Sequence, residues 1–348
     1  MEVKQYLDAR KTLQNHLLDF IDNQDDDQNS YKNLISDIQK CNITENKNEF
    51  QLFLNLLTVI SNNHHRCSNF FIKIDQILSF LNQKIKQTFS NLEIFNIFKC
   101  SKRLLLFFIK NDFFVNDENI IKMINKIDYF SNSNSSDENH EKKKEIGEND
   151  QYICQLIRKD LVAPFITYIN QANISLETTI KNSIYETNSF LCHKTVTLLE
   201  YATFFGSIQI FKYLLFNGFI LRPSLWLFAL HSNNAEIIHI LEENKIKLES
   251  DKKCLIEAIK CHHNNIVNYI KDNYTQKKSL SLSFMYYNYE ILSEDEVNDD
   301  FLLYSCRFNY VELVKILLKN KKIEIFNDII HFIFNDIQII IYFNYIQS

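Results

Sequence analysis

The stretch that decides the fold is TLLEYATFFGSIQIFKYLLFNG, residues 197–218. The chain of 348 residues contains three glycines, and two of them, Gly206 and Gly218, lie in this short stretch. Apolar residues recur at steps of three and four on both sides of Gly206, which is the spacing of a buried helix face. Since glycine readily adopts a left-handed conformation, we predict that Gly206 turns the chain between two paired helices and that Gly218 ends the second.

The same order of residues recurs further along the chain and predicts a repeat. In each copy a small residue on a first helix is followed four positions later by a turn residue and then by an apolar second helix, which ends at Asn or Gly. One helix pair cannot bury its apolar faces alone, so the copies must stack. The small residues are Ala202, Ala229, Ala258 and Ser305; the turn residues are Gly206, Asn233, His262 and Asn309; the predicted second-helix ends are Gly218, Asn244, Asn273 and Asn320; weaker copies lie at 157–172, 281–292 and 331–343.

Glycine content and charge argue against several classes of protein. Three glycines and two prolines are too few for a fold rich in β-hairpins, whose tight turns depend on glycine. The chain has neither the phosphate-binding pattern G-x-x-x-x-G-K-[ST] nor the pattern G-x-G-x-x-G, which argues against an ATPase, a kinase or a Rossmann enzyme. The net charge of −5 argues against nucleic-acid binding, since phosphate contacts need a concentrated basic surface.

The cysteines and apolar runs bear on location. The eight cysteines include no C-x-x-C pair, and a chain of this length does not need disulfides, so we expect free thiols and a cytoplasmic protein. The chain is charged from Glu2, so we expect no secretory signal there. The apolar stretch 323–346 is interrupted by acidic residues and a histidine, which favours a buried helical cap over a membrane span.

We therefore expect an all-α fold, a solenoid of antiparallel helix pairs with an N-terminal helical region. Residues 1–130 are predicted as successive amphipathic helices and 151–348 as the solenoid. The stretch 131–150 between them lacks apolar periodicity and contains the third glycine, so we expect a flexible charged loop or linker there.

Residues 197–218 resemble the ankyrin repeat. Leu198, Glu200 and Thr203 depart from its T-P-L-H-x-A-A-x-x-G pattern at the proline, the histidine and the second alanine. More narrowly, most of the chain resembles protist ankyrin-repeat proteins with a degenerate ankyrin-like domain, through phrases such as SNNHHR (61–66) and EAIKCHHNNIVNYI (257–270). The residues that match the pattern and the helix I-V-K-x-L-L-x-x-G after it are Thr197, Leu199, Ala202, Gly206, Ile210, Phe211, Lys212, Leu214, Leu215 and Gly218.

This resemblance implies a concave groove, lined by the first helices and by short fingers, that binds another protein. It predicts a non-enzymatic interaction scaffold with no cofactor, an unknown protein partner and no nucleic-acid partner. A hypothesis of a different class is a helical-repeat protein with metal-dependent or hydrolytic activity at its histidine and cysteine clusters. The alternative for Tyr201, Phe204 and Phe228 is packing within the stack. The residues that match groove positions are Tyr201, Phe204, Phe228, His231, Glu257, Lys260, Tyr304 and Arg307.

Two short clusters are the most metal-like features of the sequence: HHRC (64–67) and CHH (261–263). Neither has the paired spacing of a zinc site, and adjacent histidines on a helix point about 100° apart. We interpret both as turn or surface residues and expect no metal; the alternative is zinc held jointly by the two clusters. The neighbouring pairs Cys192–His193 and Cys261–His262 lack a third group to orient the base, so we expect no catalytic residue there.

Trp226, the only tryptophan, is predicted to pack in the core between repeats, with an exposed binding anchor as the alternative. The acidic runs 25–27 and 293–300 lack the spacing and the glycine of an EF-hand, so we interpret them as solvated loops.

Overall fold

Helices account for most of the computed structural model, which describes residues 2–23, 28–67, 69–131, 138–192, 194–274 and 279–319. The only sheet among these residues is an antiparallel pair of two-residue strands, in which Thr179 is opposite Thr197 and Ile180 is opposite Val196. The expectation of an all-α fold is therefore confirmed.

The described residues form two compact units, one made of 2–56 with 279–319 and the other of 57–274. The first unit contains α1 (Glu2–Asp22), α2 (Gln28–Lys40), α18 (Leu280–Met285), α19 (Asp299–Arg307), α20 (Val311–Lys319) and 3-10 turns at Ile43–Glu45, Tyr289–Ile291 and Glu294–Glu296. The boundary falls within α3 (Lys47–Asn63). The second unit contains α4 (Phe70–Thr88), α5 (Asn91–Phe98), α6 (Lys102–Lys110), α7 (Glu118–Ile124), α8 (Asp128–Ser131), α9 (Glu138–Ile146), α10 (Tyr152–Arg158), α11 (Val162–Gln171), β1 (Thr179–Ile180), β2 (Val196–Thr197), α12 (Leu198–Phe205), α13 (Ile208–Phe216), α14 (Leu225–Ser232), α15 (Ala235–Glu243), α16 (Asp251–Lys260) and α17 (Asn264–Asn273).

In the first unit, helix α1 joins the two ends of the described chain. Its buried face contacts α2, α20 and the 3-10 turn Tyr289–Ile291. The buried Gln14 accepts a hydrogen bond from the backbone N–H of Tyr289 at 2.7 Å and donates one to Asn288 at 3.3 Å. Residues 279–319 thus lie in the same compact unit as the N-terminal helices. They were predicted instead to continue the repeats from residue 151. The apolar stripe of α1 supplies the physical reason, because burying it requires a packing partner.

In the second unit, four consecutive helix pairs follow one another: α10 with α11, α12 with α13, α14 with α15, and α16 with α17. The first helices contact one another in chain order, α10 with α12, α12 with α14, and α14 with α16. Ala202, Ala229 and Ala258 are fully buried on the last three of these helices. Small residues at those positions permit close approach of neighbouring helices.

The same backbone turn ends several first helices. Gly206, Asn233, His262 and Asn309 all adopt the left-handed conformation, with φ of 70°, 51°, 59° and 61°, as the repeat predicted. At the Asn233 turn, the next residue, Asn234, donates its backbone N–H to the hydroxyl of Ser232 at 3.2 Å. At the other three turns the next residue donates to the carbonyl of the small residue, from Ser207 to Ala202 at 2.9 Å, from His263 to Ala258 at 3.1 Å and from Tyr310 to Ser305 at 2.8 Å. This is the 6→1 bond of a Schellman motif. Two of the weaker copies, 157–172 and 281–292, have the same left-handed turn, at Asp160 and Tyr287, with φ of 50° and 55°.

The ends of the second helices agree less well with the prediction. Gly218 is left-handed with φ of 91°, as expected. At the next pair the left-handed residue is Lys245 instead of Asn244, because α15 is followed by a Schellman bond from the N–H of Ile246 to the carbonyl of Leu241. Asn273 is the last residue of α17, and the C-cap is Tyr274, whose φ is −127°.

The stretch 131–150, expected as a flexible loop, contains helix α9. The helix is held by tertiary contacts that its polar composition does not reveal. The backbone carbonyl of Lys144 accepts a hydrogen bond from the buried hydroxyl of Tyr129, and that of Glu145 accepts one from Arg103 at 2.8 Å. The compact units do not divide at this stretch.

Trp226 is 1% exposed and donates its indole N–H to the carbonyl of Ile246 at 2.7 Å, in agreement with the core prediction. Residues 294–296 and 298–300 of the acidic run are exposed as predicted, but they are not a loop, since Glu294–Glu296 form a 3-10 turn and α19 begins at Asp299. Within the described ranges no helix combines the length and the apolarity that a membrane span needs. The predictions for 25–27, His193, Asn320, 323–346 and 331–343 concern positions outside the described residues.

Candidate functional site

Four of the residues matched to a binding groove lie in the protein interior. Tyr201, Phe204, Phe228 and His231 are 1%, 6%, 6% and 1% exposed. The Tyr201 hydroxyl accepts a hydrogen bond from Arg158 at 2.9 Å, and burial raises its pKa well above the ordinary value. The expectation that these side chains line an open groove is therefore wrong.

The segment before α12 explains their burial. The ring of Phe190 stacks on Phe204 with centroids 5.8 Å apart, meets Phe228 edge to face at 5.1 Å and lies 4.3 Å from His231. The ammonium of Lys194 lies over the ring of Phe190, 3.0 Å from its centroid, and 5.8 Å from the centroid of Phe228. This segment covers the face that the ankyrin resemblance would leave open.

The other four groove residues are divided between the two compact units. Glu257 and Lys260 are partly exposed on α16 and contact each other at 3.2 Å. Tyr304 is partly exposed and Arg307 is exposed, but both belong to the other compact unit.

Around His231 the structure assembles a buried hydrogen-bonded row of three side chains, which we call the His–Glu–Cys row. His231 Nε2 lies 3.0 Å from Glu257 Oε2, and His231 Nδ1 lies 3.1 Å from Cys261 Sγ. A carboxylate only accepts, so Nε2 carries the proton and donates it, and Nδ1 accepts from the thiol. Lys260 completes the row by donating to both oxygens of Glu257 at 3.2 Å.

The electrostatics of this row favour a structural role. Burial lowers the pKa of His231 and raises the pKa of the Cys261 thiol well above its usual value. Burial opposes the ionisation of Glu257, but the hydrogen bond from His231 and the charge of Lys260 outweigh it and lower the pKa to about 2. At neutral pH the row therefore holds a carboxylate, a neutral imidazole and a protonated thiol. Cys261 is therefore held as a protonated thiol with no exposed surface, whereas nucleophilic attack requires a thiolate.

A second cluster, which we call the three-histidine cluster, joins the two metal-like segments of the sequence. His64 and His65 follow the end of α3 at Asn63, and His263 is the N-cap of α17. Their ring centroids lie 4.3, 5.0 and 5.1 Å apart in pairs. One potential ligand atom from each residue lies within 4.8 Å of the other two.

Hydrogen bonds to backbone carbonyls orient two of these rings. His64 Nδ1 lies 2.5 Å from the carbonyl oxygen of Cys261, and His263 Nδ1 lies 2.6 Å from that of Leu230. A carbonyl oxygen only accepts, so both Nδ1 atoms carry the proton and each Nε2 holds the lone pair. His65 Nδ1 lies 2.9 Å from His263 Nε2 and donates to it. Burial, with His64 and His65 nearby, lowers the pKa of His263 well below its ordinary value, so its ring is neutral.

The sequence offered the two segments as joint zinc ligands only as an alternative, and the His–Glu–Cys row was not predicted. The repeat alignment held the signal for it, since His231 and Cys261 end neighbouring first helices, α14 and α16. Polar residues that follow the small residue in adjacent repeats lie on neighbouring helices, and that adjacency predicts contact between their side chains.

The comparisons with known proteins supply no family. No family model matches the chain, and neither a curated protein nor a solved structure matches it.

Proposed function

We propose that the protein is a non-enzymatic protein-interaction scaffold built on degenerate ankyrin-type helix pairs. The supporting observation is the recurrence of one unit, a first helix, a left-handed turn and a second helix, with the first helices α10, α12, α14 and α16 in serial contact. Repeats of this kind present extended surfaces made from equivalent positions of successive units, which suits them to binding proteins.

The proposed partner surface differs from the one expected from the sequence, because the first-helix aromatics are buried. We place it at the end of α13 and the loop after it, which occupy the position of an ankyrin finger. Phe216 is 92% exposed and Ile220 is 74% exposed. Covering a large exposed apolar side chain with a partner removes apolar surface from water and so favours binding. Such residues are common binding anchors.

Cysteine chemistry supports a cytoplasmic location for this scaffold. All eight cysteines are free thiols, and burial raises the pKa of Cys154, Cys254 and Cys306 to about 12. Thiols that stay protonated and unpaired fit a reducing compartment.

Affinity capture tests the proposal with two matched double variants of the full chain. Phe216→Ser/Ile220→Ser removes the proposed anchors, and Ile72→Ser/Val115→Ser removes two apolar side chains that are 59% and 61% exposed elsewhere in the same unit. We expect the wild type and the control to retain the same protein partner, and the anchor variant to lose at least about nine-tenths of it. Equal retention by both double variants, or no enriched partner for the wild type, would contradict the proposal.

A further inference from the structure

The three-histidine cluster brings together imidazoles from two segments that are far apart in the sequence. His65 and His263 are 198 residues apart. Both segments lie in one compact unit. His64 and His263 are 2% and 3% exposed, whereas His65 is partly exposed. The cluster is therefore mostly buried but has one side that solvent can reach.

The orientation of the rings is the one that metal ligands use. Histidines that bind a metal through one ring nitrogen usually donate the other N–H to a carbonyl or a carboxylate, which fixes the tautomer and the ring plane. His64 and His263 both do so, to the carbonyls of Cys261 and Leu230. Each of these two rings thus has its lone-pair nitrogen, Nε2, opposite an anchored Nδ1.

We propose that His64, His65 and His263 bind a zinc ion, with water as the fourth ligand. Three nitrogen donors and an open fourth position make up a common zinc coordination. With Zn–N bonds of 2.0–2.1 Å, two ligand nitrogens of a tetrahedral ion lie about 3.3 Å apart. The observed 2.9 Å between His65 Nδ1 and His263 Nε2 requires only a small outward movement of His65. His65 must also carry its proton on Nε2 in place of Nδ1, which is a change of tautomer without net proton release.

The His–Glu–Cys row is the less suitable site, although its donor atoms also lie within 4.8 Å of one another. Its carboxylate already accepts from His231 and Lys260, and its thiol donates to His231. A metal there would have to displace these hydrogen bonds and the thiol proton.

Zinc titration of the full chain, prepared without a histidine tag and followed by calorimetry, tests the proposal. The key variant is His65→Ala, because its partly exposed side chain can be removed with little effect on folding. His263→Asn is a second variant, and His239→Asn, whose side chain is 72% exposed on α15, is the matched control. We expect the wild type and H239N to bind one zinc ion per chain, and H65A and H263N to bind at least about tenfold more weakly.

A cysteine variant separates the two clusters. Cys261→Ala removes the sulfur of the His–Glu–Cys row and leaves the three histidines in place, so we expect it to bind zinc like the wild type. Failure of the wild type to bind zinc would overturn the proposal. So would unchanged binding by H65A, or loss of binding in C261A while H65A retains it. Circular dichroism shows which variants keep the helical fold. If H263N does not fold, the zinc affinity of H65A decides the test.

Discussion

The helix pairs α12–α13 and α16–α17 have the same backbone design and carry different side chains. Each first helix has a buried alanine, Ala202 or Ala258, followed four residues later by a left-handed turn residue. In the first pair that residue is Gly206, whereas in the second it is His262, with Cys261 and His263 on either side. The first turn serves only to reverse the chain, while the second supplies one residue to each buried polar cluster.

The comparison shows that two helix pairs with the same backbone turn can carry either a glycine or a group of polar side chains at that turn. A non-glycine residue in the left-handed region costs about 1 kcal/mol or more, so a histidine at the turn is the strained choice. The polar residues beside it then need partners, which the His–Glu–Cys row and the three-histidine cluster provide. Variants at the polar side chains and variants at the backbone turns should therefore have separate effects on stability.

The largest effect should come from His231→Ala. It removes a buried ring packed between Phe190 and Phe204 and leaves Cys261 and Glu257 without their shared partner. The cavity and the unsatisfied polar groups together should lower the free energy of unfolding, measured by urea denaturation, by about 3–4 kcal/mol. His239→Ala, at an exposed position, should change it by less than about 0.5 kcal/mol. Similar midpoints for the two variants would mean that the row does not stabilise the fold.

The next effect is a pH dependence that Glu257 should confer. Its pKa is about 2 in the folded chain, against about 4.3 when unfolded, so its stabilisation is complete above about pH 5 and is lost as pH falls towards 2. The loss should reach up to about 2–3 kcal/mol in the wild type. Glu257→Gln has no such carboxylate, so the difference in unfolding free energy between wild type and E257Q should shrink between pH 5 and 3. A constant difference would refute the assigned pKa.

Gly206→Ala should lower the unfolding free energy by a smaller amount, through the backbone turn between α12 and α13 alone. Its φ of +70° is strained for alanine, and the new methyl carbon would lie 3.3 Å from the side-chain nitrogen of Asn234. We expect a loss of about 1–2 kcal/mol in thermal or urea unfolding. Gly218→Ala is the control, since its φ is also positive but no atom lies within 4 Å. A larger loss for G218A than for G206A would contradict the packed turn described for α12–α13.

The smallest effect should be a gain. Lys245 is exposed and left-handed with φ of 55°, so Lys245→Gly should relieve strain and raise the unfolding free energy by about 0.5 kcal/mol. Lys247→Gly, at an exposed position without positive φ, should lower it slightly instead. Equal changes in the two variants would show that the end of α15 carries no backbone strain.

Local features of the fold could be predicted from the sequence, and long-range ones could not. The spacing from Ala202 to Gly206 is a property of adjacent residues, and its copies located the turns at Asn233, His262 and Asn309 correctly. The burial of Phe204 depends on Phe190, which lies in a segment with no periodicity to reveal that it folds over the first helices. The meeting of His65 with His263 depends on tertiary packing, so the sequence could offer it only as an alternative.

The most direct test of the central claim, that His64, His65 and His263 together hold a zinc ion, is X-ray absorption at the zinc edge of the loaded full chain. The account predicts a first shell of nitrogen and oxygen alone at about 2.0–2.1 Å, with the scattering pattern of imidazole rings. A sulfur neighbour at about 2.3 Å would place the ion on Cys261 and contradict the account, as would a shell without imidazole.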